Sequence, residues 1–131
     1  MNSFLKYYGL TLLWALFIFI MCTINLGSVS ESPMFFTGFD KLVHSGFIFV
    51  LVVLWCDGFT RQQSLRQISY KRLALILMVA IAYGGIIELL QWKVFTWRDG
   101  DWADFFSDAI GGSMGAFSII VTANALSNEK K

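Results

Sequence analysis

Charge is scarce in this chain. Asp, Glu, Lys and Arg make up 15% of its 131 residues, against roughly 25% in ordinary soluble domains. The net charge is +1 and no basic stripe runs along any segment, so there is no electrostatic footprint for a nucleic-acid partner. Histidine occurs once and cysteine twice. A zinc-type His/Cys cluster is therefore missing, and neither a nucleophile motif nor a phosphatase signature stands in its place. Outside its apolar runs the chain has no segment long enough to fold as a separate soluble domain.

What fills the chain instead is apolar sequence, 56% of all residues. Four runs, 7–26, 42–56, 73–90 and 103–125, are candidates to cross a bilayer, which takes about 20 residues as a helix. The second is short. It reaches a workable length only if Asp40, Lys41 and Asp57 form its ends at the headgroup level, with Lys41 snorkelling. The expectation is an all-α integral membrane protein, one domain over 1–131, with spans near 7–26, 40–57, 73–91 and 102–125 in one bundle. The first run is read as an uncleaved helix. It exceeds the usual signal-peptide core, and no clear small-x-small cleavage site follows it.

Basic residues set the orientation. Lys6, the loop 61–72 with its three arginines and Lys71, and the pair Lys130 and Lys131 share one side and hold seven of the ten basic residues. The positive-inside rule puts that side, with both termini, in the cytoplasm. Cys22 and Cys56 then lie near opposite membrane faces. Their separation along the normal is on the order of 20 Å at 1.5 Å rise per residue. A disulfide needs Cα atoms within about 7 Å, so both read as small apolar packing residues.

The polar residues gather on the other side. Seven of the nine acids and the histidine fall in or beside the two outward junctions. Asp40 and His44 are spaced i, i+4, and Glu88 and Gln91 i, i+3, so each pair shares a helix face. Asp101, Asp104 and Asp108 form one stripe at the start of the fourth run, and Arg98 sits in the loop before it. Capping competes as an explanation. Asp101 suits an N-cap, Asp104 its capping-box partner, and Asp40 a cap or the N3 partner of Thr37. His44 alone reads more readily as a packed, hydrogen-bonded residue than as a ligand. Glu88 and Asp108 lie deeper than capping reaches. An acid inside a span costs roughly 2.5–3.5 kcal/mol at mid-bilayer and less near the interface, so a functional role is expected for both.

Small residues suggest which helices meet. Ala80, Gly84 and Glu88 step by four on the third run, and Ser107, Gly111 and Gly115 on the fourth. Packing those faces together would bring Glu88 near Asp104 or Asp108. Carboxylates that close need compensation. Arg98, Lys41, a protonated His44, a shared proton or a divalent metal could supply it. No cofactor follows from the sequence, and it does not choose among these cations.

These residues also resemble a known family. Asp40-Lys41-x-x-His44 at a span start is similar to the opening motif of the VanZ-like membrane proteins. Glu88-x-x-Gln91, Arg98 and the run Asp104-x-x-x-Asp108-x-x-Gly111-x-x-x-Gly115 resemble that family's second signature. The likeness covers 40–116 with the spacing intact. The family commonly has asparagine where this chain has Asp108, which leaves this site more acidic. The family takes its name from a protein linked to resistance against teicoplanin, a glycopeptide acting on the cell wall. The resemblance implies a bacterial plasma-membrane setting and carries no reaction with it.

Three functions follow as expectations. The first is binding or modulating an envelope lipid, a lipid-linked wall precursor or an amphiphilic antibiotic such as a glycopeptide. It fits the outward cluster and the aromatics around it: Phe35, Phe36, Phe39, Trp92, Phe95, Trp97 and Trp102. The second is an enzyme on a lipid-linked substrate, with Glu88, Asp104 and His44 as acid, base or metal ligands. The third is an ion- or proton-coupled carrier, for which four spans are few. Oligomeric state is left open. The orientation has a direct test. Cysteine placed at Ser30 or Thr96, in a chain lacking Cys22 and Cys56, should react with a membrane-impermeant reagent outside intact cells. Labelling only after lysis would reverse the topology.

Overall fold

A computed structural model describes residues 3–24, 38–65, 67–95, 97 and 100–128. It contains four helices in one bundle: α1 Ser3–Thr23, α2 Phe39–Gln62, α3 Tyr70–Lys93 and α4 Trp102–Asn128. Each is long and apolar enough to cross a membrane. The 24 residues of α2 or α3 extend about 36 Å at 1.5 Å per residue, enough for a hydrocarbon core of about 30 Å. The chain is a multi-pass helical membrane protein.

Helix ends extend past the apolar runs because polar residues close them. The second helix does not stop at Asp57. Thr60 Oγ1 donates back to Cys56 O at 3.0 Å and Arg61 meets Asp57 at 3.2 Å, one turn on. Its start also differs from expectation. Gly38, at φ 89°, is the N-cap and no side chain caps it, so Asp40 is a first-turn acid rather than a cap. Thr37 lies outside the described residues. Ser69 caps α3, accepting from the Arg72 backbone N–H at 3.4 Å. That helix runs unbroken through Gly84, Gly85 and Glu88.

The core is formed by all four helices. Ile48, Leu51, Val52 and Cys56 of α2 meet Ile18 and Cys22 of α1, Leu73, Ile76, Ala80 and Ile87 of α3, and Ala116 of α4. Both cysteines are buried in it, as packing residues would be. Large apolar side chains on the outside, among them Leu13, Met78, Ile86, Phe106 and Phe117, are exposed and suit contact with lipid. Since lipid offers α1 no hydrophobic drive toward its neighbours, hydrogen bonds to backbone carbonyls hold it. Trp14 Nε1 donates to Phe47 O at 3.0 Å, Tyr83 OH to Ala15 O at 2.6 Å and Gln91 Nε2 to Cys22 O at 2.6 Å. Such bonds average about 0.6 kcal/mol each in membranes.

The small-residue stripe on α4 meets a different partner from the one expected. Gly111 and Gly115 face α2, not α3. A Cβ at Gly111 would run into the Ser45 backbone, and one at Gly115 would lie 2.9 Å from Phe49 O. Ser45 Oγ also donates to Ser107 O at 2.8 Å. The reason is that α2 presents its backbone at Ser45 and Phe49, whereas α3 meets this stretch of α4 with side chains. At Gly112, for example, a Cβ would meet Leu77 of α3 at 2.9 Å.

This arrangement is testable by unfolding in detergent. Gly111→Leu and Ser45→Leu, on opposing helices, should each destabilise by at least about 1–3 kcal/mol through overpacking. Ala74→Leu, at an exposed position, should be neutral within about 0.5 kcal/mol. Equal tolerance at all three would refute the contact.

Candidate functional site

Because α2 and α4 approach so closely, the start of α2, the end of α3 and the start of α4 bring their polar residues together. His44 is the centre, with its side chain 6% exposed. Its Nδ1 lies 3.3 Å from Asp108 Oδ1 and 3.7 Å from Glu88 Oε1, and its Nε2 lies 3.8 Å from Asp104 Oδ2. Three acids from two helices thus surround one imidazole. Glu88 and Asp104 both lie within 4 Å of the His44 ring.

Lys41 is the described cation of the rim. Its ammonium donates to Asp101 at 2.9 Å, Asp104 at 3.1 Å and Asp40 at 3.2 Å. Asp104 is buried, while Asp40 and Asp101 are about half exposed. The Lys41 hydrogen bond holds the Asp101 carboxyl below the usual range, so the contact is intact at neutral pH and is lost as the pH falls through that lowered value. Arg98, the other cation expected here, lies outside the described residues, as do Phe35 and Phe36.

The helix cap at α4 differs from a capping box. Asp101 Oδ1 accepts from the Ala103 backbone N–H at 2.8 Å, as an N-cap does. In place of the reciprocal bond, the Asp101 backbone N–H donates to Glu88 Oε2 of α3 at 3.0 Å. Asp104 is therefore released from capping and turns to Lys41 and His44. Glu88 fixes the entry of α4 while its second oxygen, Oε1, stays buried without a hydrogen-bond partner.

Two further residues have clearer roles than the sequence suggested. Gly84 gives room to an acid rather than to a helix, since a Cβ there would collide with the Asp108 carboxylate. Gln91, 1% exposed, sends its side-chain nitrogen to Cys22 O and so anchors α3 to α1.

A lateral groove was not legible in the sequence. It opens between α3 and α4, has a volume of about 470 Å³ and reaches Glu88 and Asp101. Leu89, Trp92, Trp102 and Phe105 wall it, and Leu89, Trp92 and Trp102 are all more than half exposed. Gly85 and Gly100 lie along it. Gly85 inside the third apolar run and Gly100 just before the fourth were the available signal.

No family model, curated protein or solved structure matches the chain.

Chemically, the cluster can accept a cation, share a proton between imidazole and carboxylate, or hold a polar head group at its groove side. The dependence of Asp104 on Lys41 gives a prediction. Lys41→Met should cost on the order of 1–3 kcal/mol, because it strips a buried carboxylate of its donor. The cost should shrink in an Asp104→Asn background. A double-mutant cycle by thermal unfolding in detergent measures this, and additive costs would show that the pair is uncoupled.

Proposed function

We propose that this protein binds a membrane amphiphile in the groove between α3 and α4. The amphiphile's tail lies against Leu89, Trp92, Trp102 and Phe105, and its head group, bearing an amine or other hydrogen-bond donors, meets Asp101 and Glu88. One observation carries this reading: an apolar groove open to the side of the bundle ends on two carboxylates. Its volume falls in the range of small-molecule sites, about 300–1,000 Å³. Its acids select against anionic head groups, because like charges disfavour one another in a low-dielectric setting.

The positive-inside rule puts this site at the outer face. The VanZ-like resemblance supports a bacterial plasma membrane as its setting. The amphiphile is then an envelope lipid, a lipid-linked wall precursor or an amphiphilic glycopeptide, the last being the route to antibiotic resistance. An enzyme working by carboxylate and histidine chemistry is the second reading. It is favoured by the 3.3 Å approach of His44 to Asp108, close enough to pass a proton. The carrier reading gains no support from the described residues, where Ile48, Val52, Ile76 and Ala80 fill the bundle below the cluster.

Native mass spectrometry of the protein released from vesicles tests the assignment. In vesicles of equal phosphatidylethanolamine and phosphatidylglycerol, the wild type should retain the amine-bearing lipid at least about tenfold over the anionic one, a preference of about 1.4 kcal/mol. Gly85→Phe, which fills the groove beside Phe105, should remove the retained lipid. Asp101→Asn should keep binding and reduce the preference. Equal retention of both lipids by the wild type, or unchanged retention by Gly85→Phe, would overturn the reading.

A further inference from the structure

We infer that His44, Glu88 and Asp108 form a binding site for one divalent transition ion of the zinc type. Donor atoms from the three residues all lie within 4.8 Å of one another, and all three residues are buried. Two of the separations from His44 Nδ1 are 3.3 Å and 3.7 Å. A tetrahedral ion with bonds of about 2.0–2.2 Å holds its ligand atoms roughly 3.3–3.6 Å apart. The two separations from His44 therefore stand near the required spacing, and the two carboxylates, within 4.8 Å of each other, close on the ion by side-chain movement.

The orphaned oxygen of Glu88 points to a ligand independently of the cluster. Glu88 is 8% exposed, and its Oε1 has no hydrogen-bond partner. Oε2 is already committed to the Asp101 N–H, so rotating the carboxylate would only exchange one orphan for another. A buried, unpaired acceptor of this kind is costly unless something binds it. The local charge agrees. Lys41 compensates Asp40, Asp101 and Asp104, and none of its hydrogen bonds reaches Glu88 or Asp108. Among the described residues, two carboxylates are left with one imidazole, and a doubly charged ion supplies what they lack.

The surroundings suit a metal-bound histidine. With the ion on Nδ1, the other ring nitrogen faces Asp104, itself held by Lys41. A carboxylate behind the far nitrogen is the usual orienting partner of a ligating histidine. The 3.8 Å separation is longer than a hydrogen bond, so here the effect is electrostatic orientation. Asp104 is also excluded from the ligand set by this geometry, since it lies on the opposite side of the ring. Imidazole with two carboxylates favours zinc, manganese or iron(II) over magnesium and calcium, which prefer oxygen alone. Gly84 keeps the Asp108 carboxylate in place among the ligands, because no side chain occupies that space.

The test uses the full-length protein, purified in detergent and stripped with a chelator. Zinc is titrated against a chromophoric competitor, and cobalt is added separately as a spectroscopic probe. The wild type should bind one zinc per chain and develop visible cobalt absorption of four-coordinate intensity. Glu88→Gln and Asp108→Asn, which preserve shape, should each weaken zinc at least about 100-fold and abolish the cobalt band. His44→Ala should do the same. Asp40→Asn, at the exposed rim, should change affinity less than about threefold, and a 100-fold excess of magnesium should not displace the zinc. Circular dichroism and a single elution peak confirm the fold of each variant. If any one of the ligand variants unfolds, the remaining two decide. Zinc uptake no greater in the wild type than in the variants, or displacement by magnesium, would overturn the site. Metal content is read without added amphiphile, so its failure would leave the groove assignment standing.

Discussion

The approach of α4 to α2 at Gly111 and Gly115 is the constraint on which the polar site depends. Asp104 and Asp108 sit on the same helix, about two turns and one turn before Gly111 respectively. They can be buried only where cationic and hydrogen-bonding groups of α2 come within reach. With backbone packed nearly against backbone at Ser45 and Phe49, Lys41 and His44 of α2 are brought to these acids. A larger residue at 111 would part the helices and leave carboxylates facing apolar surroundings, where an unpaired charge costs several kcal/mol. Packing and electrostatics are therefore one problem here.

Glu88 joins three parts of the structure. One oxygen closes the N-terminus of α4 through the Asp101 N–H. The other lies beside His44, and the residue also lines the lateral groove. A change at the groove can thus reach the buried cluster through a single side chain, and the state of the cluster can bear on how α4 is held. Lys41 plays the corresponding part at the rim, where it ties α2 to Asp101 and Asp104 at the start of α4. Between them these two residues set the shape of the end of the bundle that carries the polar cluster.

Much of this was legible from spacing. Four helices follow from run length, and the convergence of His44, Glu88, Asp104 and Asp108 follows from helical periodicity and shared membrane side. The partner of the glycine stripe was not legible. Small-xxx-small spacing says that a close approach exists, not which helix makes it, and Ser45 carries no glycine signal of its own. Nor could spacing show that Glu88 would take the capping bond from Asp104. The local pattern Asp101-x-x-Asp104 satisfies a capping box, and a tertiary contact displaced it. The ends of α2 were misjudged for a related reason. Hydropathy stops at Asp57, whereas the helix continues on an Asp57–Arg61 pair and a threonine back-bond. The groove depends on how α3 and α4 diverge, which no single segment records.

His44 is the only histidine in the chain, so a spectrum of the protein labelled with 15N-histidine in lipid nanodiscs reports on this one ring. The central claim is that Glu88, Asp104 and Asp108 all bear on it at once. Each of Glu88→Gln, Asp104→Asn and Asp108→Asn should therefore shift the ring nitrogen resonances, with Asp108→Asn acting most strongly on Nδ1 and Asp104→Asn on Nε2. Asp57→Asn, at the far end of α2, should leave them in place. Ring resonances that ignore all three acids, or respond equally to Asp57→Asn, would contradict a single site centred on His44.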